Sequence, residues 1–97
     1  MAFQIIWSPQ AETDFDRVIE YLFENWTEKE ISFFVNETNK VIAMISKYPY
    51  IFRGSEKENV IEAVITKHNL LIYEIHIEIK TINLLTFFDT RQDPKKK

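Results

Sequence analysis

Two histidines, a few scattered cations and one acid–arginine segment are the groups from which this chain could build chemistry. His76 follows Glu74 by two positions. In a strand that spacing puts both side chains on one face. Such a pair could work as a general base with its orienting carboxylate, or it could be a solvated polar surface. Arg53, Lys57 and Lys67, with the terminal Lys95, Lys96 and Lys97, could form a basic patch. A metal-independent nuclease needs such groups to hold a phosphate and stabilise added charge. Glu56, Glu58 and Glu62 interleave with these cations and weaken the patch. Tyr48, Tyr50, Phe52 and Tyr73 could stack bases, but aromatic residues are 14% of the chain and most must fill its core. In "FFDTRQDP", Arg91 can pair with Asp89, with Asp93 or with a phosphate. On the bare residues, a strand-ending turn held by an Arg–carboxylate pair is the plainer use. No phosphate-binding loop, dinucleotide fingerprint, nucleophile elbow or HExxH helix is present. There is no Cys, and two His with one Glu lack a recognised ligand spacing, so no metal or cofactor is expected.

These residues must be carried by secondary structure whose pattern is legible. "FQIIW" (3–7) reads as a short strand. Ser8 and Pro9 then supply an N-cap and a first helical residue. A helix follows to about Glu24, with Ala11, Phe15, Val18, Ile19, Leu22 and Trp26 on one face. "WTEKEI" (26–31) starts a second helix: Thr27 and Glu30 match a capping box, and Trp26 and Ile31 match a hydrophobic staple. So short a link predicts an antiparallel helical hairpin. The second helix carries Ile31, Phe34, Val35, Thr38, Ile42 and Ile45 on one stripe, widened by Val41 and Met44. It ends near Lys47, because Tyr48 precedes Pro49. Residues 48–59 read as a loop holding the only Gly.

The remainder reads as three strands, 60–66, 70–76 and 81–89, joined by short links at 67–69 and 77–80 and therefore an antiparallel meander. Ile61, Ala63 and Ile65 should face the helices, and Glu62 should face away. Imperfect alternation elsewhere predicts cover on both faces of part of the sheet, with Phe87 and Phe88 both covered. The order β-α-α-β-β-β gives a two-layer α+β fold, a helical hairpin packed on one face of an antiparallel sheet, as a single domain over 1–97.

Composition narrows the function classes. The net charge is −3, and hydrophobic residues are 45% of the chain, which fits a globular domain. Residues 1–52 hold four Lys/Arg and eight Asp/Glu, whereas residues 53–97 hold eight and seven. Nucleic-acid-binding domains are usually clearly basic, so any basic surface is local and C-terminal. No apolar run approaches the roughly 20 residues needed to span a bilayer, and the first ten residues carry no secretory signal pattern. The lack of Cys fits a reducing compartment.

"WSPQAE-D" near the start, "KHN-L-Y-I" in the middle and "FFDTRQDP" at the end, at these distances, resemble the RelE/ParE toxin superfamily. The closer likeness is to its ParE-like, plasmid-stabilisation branch. The resemblance covers nearly the whole chain and implies the same β-α-α-β-β-β order. It implies a cytoplasmic toxin of a type II toxin–antitoxin system, neutralised by a cognate antitoxin in a hetero-oligomer, or self-associating as a homodimer. ParE-like members are linked to inhibition of DNA gyrase. RelE-like members cut messenger RNA in the ribosome, using basic residues of the sheet and C-terminus.

Carried over by position, Lys67 and His68 match the usual "KHN" turn, Tyr73 matches an aromatic of the next strand, and Arg91 matches the terminal segment. Ile61 and Glu62 stand where basic residues are common, and an acid there repels a phosphate. The resemblance therefore favours a protein-binding toxin, with Lys67, His68, Arg91 and Gln92 contacting target or antitoxin. The alternatives are a ribosome-dependent endoribonuclease built on Lys67, His68, Tyr73 and Arg91, and a degenerate non-toxic member that keeps antitoxin binding.

Overall fold

The computed structural model describes residues 2–52, 54–55 and 59–92. Arg53, Glu56, Lys57, Glu58, Asp93, Pro94 and the terminal lysines lie outside the described residues. The elements are β1 (Gln4–Trp7), α1 (Pro9–Asn25), α2 (Glu28–Lys47), β2 (Gly54–Ser55), β3 (Val60–Thr66), β4 (Asn69–His76) and β5 (Thr81–Asp89), then a 3-10 turn over Thr90–Gln92. This is the expected α+β fold.

Local chemistry accounts for the helix boundaries. Ser8 is extended and its hydroxyl accepts from the Ala11 N–H at 3.0 Å. That satisfies one of the orphan donors of the first turn. The same hydroxyl donates to the Leu85 carbonyl at 3.2 Å, tying the cap to β5. Thr27 is the N-cap of α2 as expected, but its side chain makes no capping bond. Its carbonyl instead accepts from Glu30 N–H and Ile31 N–H at 3.0 and 3.3 Å. Two residues separate the helices, so they turn back as a hairpin.

The sheet order is β1-β5-β4-β3-β2. β3, β4 and β5 form the antiparallel meander. β1 joins it parallel to β5, from Gln4 beside Thr81 to Trp7 beside Leu84, which makes the sheet mixed. The segment read as a loop contains β2, which pairs Gly54 with Ile61 and Ser55 with Val60. Two residues without alternation leave no sequence pattern to read.

Ile61, Ala63 and Ile65 are buried beneath the helices, and Glu62 is exposed. β4 alternates without a break, with Leu71, Tyr73 and Ile75 in the core. β5 does not alternate, and the cause is a bulge. Ile72 pairs with Thr86 but Tyr73 pairs with Leu84, leaving Leu85 as an extra residue. The bulge resets the parity, so Phe87 and Asp89 point to the core and Phe88 points out. The expectation that both faces are covered here is corrected: Phe88 is exposed.

The helix layer is fastened to β1 and β5 by an aromatic cluster. Phe15 sits 5.2 Å from Phe34, 5.2 Å from Phe87 and 5.4 Å from Trp7. The Thr86 hydroxyl beside the bulge donates to the Asp14 carboxylate of α1. No helix among the described residues is long and apolar enough to cross a membrane.

Candidate functional site

The bulge that turns Asp89 inward also builds the best-ordered polar site. Asp89 ends β5 on the core side, where a bare carboxylate is costly. Its Oδ1 accepts from the Arg91 backbone N–H at 2.8 Å, which starts the 3-10 turn in the manner of an Asx turn. The Arg91 side chain curls back onto the same group. Nε donates to Oδ1 at 3.1 Å and Nη2 donates to Oδ2 at 2.9 Å. This is the planar two-bond fit that a guanidinium makes with a carboxylate.

The β3–β4 turn completes the arrangement. Asn69, opposite Asp89 across the ladder, donates from Nδ2 to Oδ2 at 2.8 Å. Its Oδ1 accepts from the Thr66 hydroxyl at 2.5 Å, and that hydroxyl accepts from His68 N–H at 3.1 Å. The His68 carbonyl accepts from Thr90 N–H at 2.9 Å. Burial alone would push the Asp89 carboxyl up, but the bonds from Arg91 and Asn69 outweigh it and hold it below the usual carboxylate range. The bond to Asp89 raises Arg91 above its already high value. The guanidinium also faces the Trp26 ring at 5.0 Å and the Tyr21 ring at 5.9 Å, both cation–π distances.

Beside this network lies a cavity of about 400 Å³. Leu22, Phe33 and Phe34 form apolar walls, and Thr66, Lys67, His68 and Asn69 come from the turn. Glu30 and Arg91 stand at its border. Lys67, His68 and Arg91 are thus brought to one place. Tyr73 is not. It is fully buried, its hydroxyl donates to the Pro49 carbonyl at 2.6 Å, and burial pushes its pKa up to about 12. A nuclease set that includes Tyr73 is therefore not assembled. Gln92 closes the 3-10 turn, and its side chain lies outside the described residues.

His76 and Glu74 do share a face. Nε2 lies 3.2 Å from Oε1, on the sheet surface away from the helices and apart from the cavity. Tyr48 and Tyr50 are exposed in a separate shallow recess with Lys47, Pro49 and Ile51. Tyr50 donates to Asn59 Oδ1 at 3.1 Å. No cluster of three or more potential metal ligands occurs among the described residues.

Sequence reasoning missed the residues that hold Arg91. Asn69 was read only as a turn residue, and Trp26 only as a staple. The available signal was phase: Asn69 lies in step with Leu71, Tyr73 and Ile75, so its amide falls on the core side and needs a partner. The geometry offers an apolar recess with a free-standing cation at Lys67 and an arginine whose charge is already matched. That suits reception of a partner's side chains better than proton transfer.

Comparison with known proteins agrees with the architecture. The family model described as the ParE toxin of the type II toxin–antitoxin system, parDE, matches residues 5–94. No curated protein matches the chain in sequence. Among solved structures, the toxin–antitoxin complex RelBE2 from Mycobacterium tuberculosis is similar, with a TM-score of 0.62 and 13% identity over 92% of this chain and 99% of the other. The YoeB–YefM complex from Staphylococcus aureus is also similar, with a TM-score of 0.59 and 17% identity over 91% and 97%. At these identities the two structures speak to the fold.

Proposed function

The chain belongs to the ParE toxin family of type II toxin–antitoxin systems, and from that membership we propose that it acts by binding a protein target, DNA gyrase, and is silenced by a cognate antitoxin. The observation that carries this reading is the charge of the sheet. Its five strands contain no Lys and no Arg, and their acids are Glu62, Glu74 and the paired Asp89. A surface that grips a ribonucleotide phosphate needs fixed positive charge, and this one offers negative charge. The burial of Tyr73 removes a further member of the nuclease set. The cavity walled by Leu22, Phe33 and Phe34 supports a protein partner, with Lys67, His68 and Arg91 at its border as contact residues. That both similar solved structures are toxin–antitoxin complexes supports the antitoxin as one such partner.

The test is induction with and without the antitoxin, followed by two assays. Growth arrest relieved by the antitoxin is expected. Purified protein should inhibit supercoiling by gyrase, and primer extension on translated messages should show no new ends. New ends within codons after induction would establish the endoribonuclease instead. Antitoxin binding without growth arrest would mark a degenerate member, and Glu62→Arg would then be the substitution to examine for restored toxicity.

A further inference from the structure

One large surface has no part in the site described above: the sheet face opposite the helices. The cross-strand register brings Val64, Leu70 and Phe88 into one row. Ile72 and the bulge residue Leu85 lie in the next, and Ile6 lies beside Asn83 in the third. Val64 is 55% exposed, Phe88 42% and Ile6 40%. Contiguous exposed apolar residues with a polar border mark interaction surfaces. The border here is acidic: Glu62 and Glu74 flank the apolar rows, and the strands contribute no Lys or Arg.

Resting on the toxin–antitoxin reading, we propose that this face seats a short amphipathic helix of the antitoxin, with an apolar stripe flanked by Lys or Arg. Charge selects the occupant. A second copy would set Glu62 and Glu74 against the same acids, and a nucleic acid or an anionic membrane would be repelled. Size agrees. Three strands span roughly 10 Å and two row spacings span roughly 13 Å, the width and length of a helix of about nine residues. The helix converts a two-layer domain into three layers and covers Phe88.

The antitoxin encoded in the same operon is titrated by fluorescence anisotropy onto wild-type toxin, Phe88→Glu and the double reversal Glu62→Lys/Glu74→Lys. Circular dichroism first confirms that each variant is folded. All three positions are surface positions, and the reversal leaves the apolar rows intact. Phe88→Glu is expected to weaken binding at least 100-fold. The double reversal is expected to weaken it at least tenfold at low salt, and less as salt rises. Wild-type affinity in both variants overturns the proposal and leaves the family reading standing. A loss in Phe88→Glu alone overturns the basic chemistry of the helix. If the wild type self-associates in sedimentation and Phe88→Glu abolishes this, the occupant is a second copy and the proposal fails. If the wild type binds no antitoxin, the toxin–antitoxin reading fails with it.

Discussion

Two acid–base pairs in this chain have the same spacing and opposite fates. Asp89 and Arg91 are two residues apart, as are Glu74 and His76. The first pair has side chains 0% and 16% exposed, with two side-chain bonds, a backbone bond and Asn69 as a further donor. The second pair has side chains 35% and 39% exposed and a single contact of 3.2 Å. Sequence spacing brings each pair together. What separates them is which side of the sheet the strand presents, and on β5 the bulge at Leu85 decides that. The covered pair must satisfy every polar atom, and so becomes specific. The open pair shares its bonds with water and is free to be used.

Breaking the covered pair should have the largest effect. Asp89→Asn keeps the shape but leaves the Arg91 guanidinium without its counter-charge in a half-covered site. Loss of one partner of such a pair costs about 3 kcal/mol, measurable as a fall in the urea midpoint at unchanged slope. The sign of the pH dependence follows. The folded-state pKa of Asp89 is depressed, so its contribution is fully present above the unfolded value, roughly 3.9. It is lost as pH falls from there through the folded value. The wild type should lose stability in that acid window, and Asp89→Asn should show a smaller acid loss. Urea titrations at pH 7 and between pH 4 and 2 would check both; an equal acid loss in the variant would sink the assignment.

Arg91→Lys should have a smaller effect. The ammonium keeps the charge but not the planar two-bond fit, and it gives up the flat approach to Trp26 and Tyr21. About 1–2 kcal/mol of stability is expected to go, with a change in Trp fluorescence as the ring loses its neighbour. A loss equal to that of Arg91→Ala would mean that geometry, and not charge alone, carries the pair.

Most elements of the fold could be read from the chain because they rest on local physics. The 3.6-residue stripe of α1 and the proline after α2 placed both helices to within a residue. The flanking turns placed β3 and β5 at their observed bounds, and β4 to within one residue. What could not be read depends on contacts distant in sequence. The parallel pairing of β1 with β5 joins residues more than seventy positions apart. The extra residue at Leu85 is hidden because its neighbours are apolar on both phases. Lys67, His68 and Arg91 were linked only by the family resemblance, since nothing local says that turn 66–69 abuts turn 90–92. Tyr73 was legible on its own terms: it keeps step with Leu71 and Ile75, and that phase already implied burial.

The open pair gives the smallest effect and the cleanest instrument. Glu74→Gln removes a half-exposed charge whose only described bond is to a half-exposed imidazole. Such pairs contribute roughly 0–1 kcal/mol, so the thermal midpoint should move by no more than a degree or two. A larger shift would mean that Glu74 holds the sheet and would remove it from the interaction surface. Because folding is indifferent to it, any change that Glu74→Gln makes in antitoxin affinity reports on the outer face alone. Asp89 cannot serve that purpose, since every substitution there disturbs β5, the β3–β4 turn and the cavity together. The residue least needed for the fold is therefore the one through which binding on this face can be measured without confusion.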